Sequence, residues 1–335
     1  MDKKWLINII IGVSISLVLV WLLLRQINLN LILTSIKSIS ISVLATAFML
    51  YIVSNIFRAQ RFRIISSKKY SLKYFFDVTS VLNMMNVLLP SRMGELSYLY
   101  LLKKSGTKVT EGIASLFLAR IFDFIALSTI FLVTVLFITR NRLIQSIMLI
   151  IGLILLSFTI LFITFIIYEN KFIIIIKHIA KKLYLDKNNT AKIVFKKIFE
   201  VTQSLHAAKS KKAVLQIMLY TYLIWLSYYL ISYLILRSAG FHISIITLSI
   251  GLTLSVLSSI IPISGIAGFG TYEAYWTIIF ISLGVEKEAA ITFGFVNHII
   301  NLLYVVVIGI ISFFMLNSKY NYFQKNNQNI KSIKD

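Results

Sequence analysis

The chain has 335 residues, 58% of them hydrophobic and only 14% charged, with a mean hydropathy of +0.86. Soluble domains carry about a quarter charged residues, so too few polar side chains exist here to clothe a water-facing surface, and disorder, collagen and coiled coil are excluded with it. The net charge of +22 would hint at nucleic acid in a soluble protein, but no binding motif or aromatic-interleaved basic domain accompanies it, so no nucleic-acid partner is expected.

In chain order, the run Trp5 to Leu24 follows Lys3 and Lys4 and lacks the small-residue cleavage site of a signal peptide, so it reads as a first span. Further apolar runs lie at 41–57, 113–137, 146–168, 216–236, 242–261 and 291–315. Their lack of period-2 alternation favours helices over a β-barrel. Two shorter runs, 74–89 and 274–284, are below the roughly 20 residues that a helix needs to cross the hydrocarbon core. With the N-terminus in the cytoplasm, 74–89 re-entrant and 274–284 crossing, 27 of 34 basic residues fall on the inner side. The expectation is an all-α polytopic protein of the cell membrane with about eight transmembrane helices plus re-entrant elements, and both termini cytoplasmic. It would form one integral membrane domain, 1–316, followed by a polar tail, 317–335.

Residues 169–212 carry 11 Lys and place Val194, Ile198, Val201 and Leu205 on one helical face. That predicts an amphipathic helix on the inner leaflet, serving as a connecting loop or as a sensor of anionic headgroups.

Three segments put charge or broken backbone among apolar residues, where an ionisable group costs at least about 2.5 kcal/mol and usually has work to do. Around 83–95, Pro90 and Gly94 interrupt a run bearing Asn86, Arg92 and Glu95, reading either as cavity-lining backbone or as a cytoplasmic turn. On 113–137, Arg120 and Asp123 stand at i, i+3 and share a helical face, reading as a structural ion pair or as a phosphate ligand tuned by its carboxylate. From Pro262 to Glu273, Gly265, Gly268 and Gly270 let backbone approach a ligand, and the helix that follows favours an anion at its N-terminus. Both prolines of the chain open one of these segments, with Pro-to-Glu spacings of 5 and 11, a weak sign of two loosely repeated halves.

No cysteine is present, and the four histidines form no metal set. His298 reads as helix–helix glue beside Asn297 and Asn301. No Ser-His-Asp or paired-carboxylate arrangement can be assembled, so neither metal nor cofactor is expected and the catalytic case is thin.

At these segments the chain resembles the lysylphosphatidylglycerol synthase transmembrane region, or flippase-like domain, family, which includes the membrane half of the multiple peptide resistance factor. The matching stretches are RAQRFR at 58–63, LPSRMGE at 89–95, ARIFD at 119–123 and GIAGFGTYE at 265–273. The resemblance implies a helical bundle that moves lipids with charged or bulky headgroups between leaflets. In resistance-factor relatives a soluble C-terminal domain charges phosphatidylglycerol with lysine; the short tail here sets the expectation that this chain does not synthesise lipid alone.

The leading expectation is therefore a flippase-like transporter with a central polar cavity between the two halves. Its substrate would be an anionic or aminoacylated phospholipid, or a polyprenyl-phosphate-linked sugar. Arg92 and Arg120 would hold phosphate. Glu95, Asp123 and Glu273 would meet a cationic group or carry protons, and Gly265, Gly268 and Gly270 would give amides and room. Arg58, Arg61, Asn86 and Tyr272 are secondary positions. The alternatives are a membrane subunit of a phosphatidylglycerol lysyltransferase or lipid-linked glycosyl transfer system, with a separate transferase as partner, and a structural scaffold. Homo-oligomers are compatible with all three.

Overall fold

The computed structural model describes residues 18–26, 29–66, 70–89, 93–137, 142–168, 210–258 and 266–331. Regular structure among them is helical throughout. The helices are α1 (Val18–Leu24), α2 (Leu29–Ser38), α3 (Ile41–Ile65), α4 (Leu72–Leu88), α5 (Glu95–Lys104) and α6 (Val109–Leu136). They continue with α7 (Arg142–Ile167), α8 (Lys211–Ser238), α9 (Ile245–Ser258), a 3-10 turn at Ile266–Gly268, α10 (Thr271–Ser282) and α11 (Lys287–Lys331).

These helices sort into two compact units. The first comprises Met1–Ala59, Tyr70–Tyr98 and Ser227–Asp335; the second comprises Gln60–Lys69 and Leu99–Leu226.

Within the first unit α11 is the central strut. It packs on α4, α10 and α2, while α9 packs on α10 and the 3-10 turn lies against α4. In a membrane, lipid tails are as apolar as leucine, so helices associate where small residues let their surfaces interlock. Gly309 of α11 faces the Met84 side chain of α4, and Gly251 of α9 faces the ring of Phe280 on α10. A Cβ on Gly294 of α11 would stand 3.3 Å from the Trp276 ring, which itself stacks on Phe280 with centroids 4.4 Å apart. Ile231, Ile235, Ile291, Val296 and Ile300 fill the core between them. At the end of α4 the chain folds back so tightly that a Cβ on Gly94 would overlap the backbone of Met85 and Asn86.

In the second unit α6 packs on α7. Gly152 of α7 seats the Leu132 side chain, and Gly112 of α6 lies under Leu99 and Leu102. On α7, Ile150, Leu153, Ile154, Phe158 and Leu161 remain exposed, an apolar face suited to lipid rather than water.

The expectation of about eight spans is corrected. Among the described residues four helices are long and apolar enough to cross a membrane: α3, α6, α8 and residues Lys287–Asn317 of α11. The number rises to five if α1 and α2, bent by 83° at their junction, make one broken span. The reason is length. At 1.5 Å per residue, the 14 residues of α9 and the 12 of α10 reach only about 21 and 18 Å, against a hydrocarbon core of about 30 Å. Segment 74–89, expected to be re-entrant, belongs to one unbroken 17-residue helix, α4, which packs on α11. Hydropathy registers that a residue is apolar but not what covers it.

Helix α3 runs to Ile65, beyond the boundary expected at 57, so Arg58, Arg61 and Arg63 stand on the helix itself. The expected first span up to residue 17, the amphipathic segment up to residue 209 and the end of the tail after 331 lie outside the described residues.

The Gly94 contact generates a comparison. Gly94→Ala meets rigid backbone, whereas Gly112→Ala meets the bendable end of the Leu99 side chain. Gly94→Ala is therefore expected to destabilise by about 2 kcal/mol or more, and Gly112→Ala by less. Thermal unfolding midpoints of the two variants in detergent check the order.

Candidate functional site

The first unit's polar centre is built on the turn into α10. Ala267, Gly268 and Gly270 all have positive φ, at 53°, 75° and 80°. Glycine adopts this backbone without strain, while Ala267 holds it at a cost. Gly270 is the N-cap of α10 and offers no side chain to the helix. Glu273, in the first turn, reaches back, and its Oε2 accepts the Gly270 N–H at 2.7 Å. Its Oε1 lies 2.6 Å from Nδ1 of His298 on α11, and Glu273 is completely buried. Both carboxylate oxygens are thus engaged by the protein, and the charge also sits at the favourable end of the helix dipole.

Around this pair the side chains form a continuous polar and aromatic cluster. The Tyr272 ring lies over His298 with centroids 4.5 Å apart, and Phe269 approaches the same ring at 4.8 Å. The Tyr272 hydroxyl accepts from Asn297 Nδ2 at 2.9 Å and lies 3.4 Å from the hydroxyl of Tyr228. One turn on, Asn301 Nδ2 donates to the Asn297 carbonyl at 2.8 Å.

A second polar chain in this unit joins α3 to α4. Asn55 Nδ2 donates to Ser80 Oγ at 2.5 Å, Asn83 Nδ2 to Asn55 Oδ1 at 3.1 Å, and Arg58 Nη1 to Asn83 Oδ1 at 3.2 Å. Asn86, one turn beyond Asn83, has a buried Oδ1 with no hydrogen-bond donor among the described residues. α4 carries these residues and packs on both α11 and the 3-10 turn, so one helix supports both polar groups.

The second unit holds its own ion pair. Arg61 on α3 meets Asp123 on α6 through Nη1–Oδ1 at 2.5 Å and Nη2–Oδ2 at 3.4 Å. Arg61 Nη1 also donates to Thr221 at 3.2 Å, and Trp225 Nε1 donates to Asp123 Oδ1 at 3.0 Å, both from α8. The side chains are 2% and 14% exposed, so this is a buried, two-pronged guanidinium–carboxylate pair, the geometry that arginine supplies and lysine does not.

The structure distributes the sequence-predicted residues as follows. Arg58, Asn86, Glu95, Gly268, Gly270, Tyr272 and Glu273 belong to the first unit, and Arg61, Arg120 and Asp123 to the second. Glu95 is half-buried at the first position of α5, and Arg120 is exposed. The carboxylate of Asp123, three residues from Arg120, is held by Arg61 and Trp225. Arg92 and Gly265 lie outside the described residues.

Sequence reasoning assigned no site role to His298, Asn297, Tyr228 or Trp225. For the first two a signal existed: Asn297, His298 and Asn301 are three polar residues in one turn of an otherwise apolar span. Tyr228 and Trp225 gave none, since both rings pass as ordinary residues of an apolar helix. Among the described residues no group of three or more His, Asp and Glu is placed to hold a metal.

Long apolar helices that bury a guanidinium–carboxylate pair and a carboxylate–imidazole pair define a multi-pass membrane protein with polar centres inside its helical units. Residues 9–309 match the family described as the lysylphosphatidylglycerol synthase TM region, and the chain belongs to that family. No curated protein and no solved structure matches it.

The buried pair of the second unit sets a test. Arg61→Leu leaves Asp123 without its cation and is expected to cost about 3 kcal/mol or more, because an uncompensated buried charge is left behind. Arg61→Leu/Asp123→Leu removes both charges and is expected to recover most of that loss. A double-mutant cycle on thermal unfolding in detergent measures both.

Proposed function

We propose that this protein is a flippase-like transporter that moves a lipid with a charged headgroup, or a polyprenyl-phosphate-linked lipid, between membrane leaflets. The observation that carries this reading is the cluster of Glu273, His298, Tyr272, Asn297 and Tyr228 inside a unit of apolar helices, in a chain of the lysylphosphatidylglycerol synthase TM region family. A lipid headgroup crosses the hydrocarbon only if polar groups replace its water, and clustered hydroxyl, amide and imidazole edges do that.

In this reading Arg58, Asn83, Asn86 and Glu95 of the first unit meet the phosphate and any cationic group, with Arg92 as a further phosphate ligand, and Arg120 of the second unit is a separate candidate for phosphate. Gly268 and Gly270 leave backbone room beside His298. Glu273 serves differently from the role read from sequence. With both oxygens engaged by Gly270 and His298, it fixes the turn and the imidazole rather than grasping a headgroup. Asp123 is similarly occupied by Arg61 and Trp225, which supports a positioning role.

We place the protein in the cytoplasmic membrane with both termini inside, on the strength of the 11 basic residues in 169–212 and the 4 after residue 317. Anionic and aminoacylated phospholipids and polyprenyl-phosphate sugars are the substrate classes, and a separate transferase chain remains a candidate partner.

Leaflet exchange in proteoliposomes tests the reading, using labelled phosphatidylglycerol, lysyl-phosphatidylglycerol and a short polyprenyl-phosphate sugar in turn. Wild type is expected to exchange one of the three, and Glu273→Gln, which loses the charge that holds His298, is expected to slow it by about tenfold or more. A folded, inserted wild type that exchanges none of them refutes the proposal.

A further inference from the structure

Resting on the transport reading above, we propose that His298 is a proton-binding site of this protein, with Glu273 as its fixed counter-ion and positioning residue, so that lipid movement responds to a pH gradient. Glu273 is completely buried and both its oxygens are taken, Oε2 by the Gly270 N–H at 2.7 Å and Oε1 by His298 Nδ1 at 2.6 Å. The donor in the second contact is Nδ1–H, which leaves the lone pair of Nε2 as the place where a proton is gained or lost. That edge of the ring faces Gly268: a Cβ there would stand 3.5 Å from both Cε1 and Nε2, and glycine leaves the space open. His298 is 8% exposed while Glu273 is not exposed at all.

Charge then decides the chemistry. With Nε2 bare, the pair carries one net negative charge among apolar helices. When Nε2 takes a proton from water, the pair becomes a neutral imidazolium–carboxylate couple, and buried net charge is the costlier state.

Other titratable groups stand on the helices of this unit. α10 contributes Tyr272 and Tyr275, α8 contributes Tyr228, and α9 has none. α4 carries Lys73, Tyr74 and the buried Asp77, α3 carries Tyr51 and Arg58, and α2 carries the exposed Lys37. Asp77 is the rival, as another buried carboxylate of this unit, but His298 is committed to Glu273.

The test uses the full chain in proteoliposomes with the lipid that wild type exchanges. One proton per lipid means that a gradient of one pH unit shifts the steady-state leaflet distribution by about tenfold, and that the shift reverses when the gradient is inverted. In His298→Gln, which keeps an N–H donor toward Glu273, whatever rate remains is expected to lose that response. Infrared difference spectra of acidification, taken on isotope-labelled histidine in detergent, provide a readout that needs no transport: one imidazole band of wild type should vanish in His298→Gln.

Wild-type exchange indifferent to the gradient overturns the proposal without any variant. So does a response that survives His298→Gln or that is abolished by Asp77→Asn instead. If wild type exchanges no lipid, the transport reading fails, and the infrared comparison still decides the proton site: identical spectra for wild type and His298→Gln reject it.

Discussion

A carboxylate sealed away from water needs partners for its charge, and much of the first unit is arranged to give Glu273 two. The Gly270 amide and the His298 imidazole come from elements that must each be in place. The turn with positive φ at Gly268 and Gly270 aims the amide, and the packing of α11 on α10 brings the imidazole. Glycines at the helix contacts serve the same end, because Gly294 lets α11 lie close to Trp276 and the Glu273 backbone. Removing water from a charge is costly in hydrocarbon, so the pair constrains the geometry of everything that touches it.

The second unit solves the same problem with different chemistry. Arg61 and Asp123 neutralise each other, and Thr221 and Trp225 satisfy further donors and acceptors. Arginine keeps its charge at any physiological pH, so this pair is a permanent fixture. The first unit instead sets its carboxylate against an imidazole, that of His298.

Much of the candidate site was legible in the sequence, for a simple reason: charges and glycines are conspicuous in an apolar chain. Glu273, Asp123, Gly268 and Gly270 stand out on that ground alone. Partner choice was not legible. The i, i+3 spacing drew attention to Arg120 beside Asp123, yet the bidentate guanidinium comes from Arg61, 62 residues away in sequence. His298, 25 residues from Glu273, looked like a packing residue because nothing local tells which helix it faces. The span count failed for a related reason, since α9 and α10, though apolar, are too short to reach across a bilayer.

By itself the sequence determined that this is a helical membrane protein of a particular family, with its basic residues between apolar runs and its few acidic ones at broken or charged segments. Those properties follow from composition and local pattern, which each residue carries with it. Tertiary structure decided where helices stop, which of them are covered by protein, and which side chain neutralises which. Those depend on distances between residues far apart in the chain, and burial, not sequence neighbourhood, sets the energy of a charge.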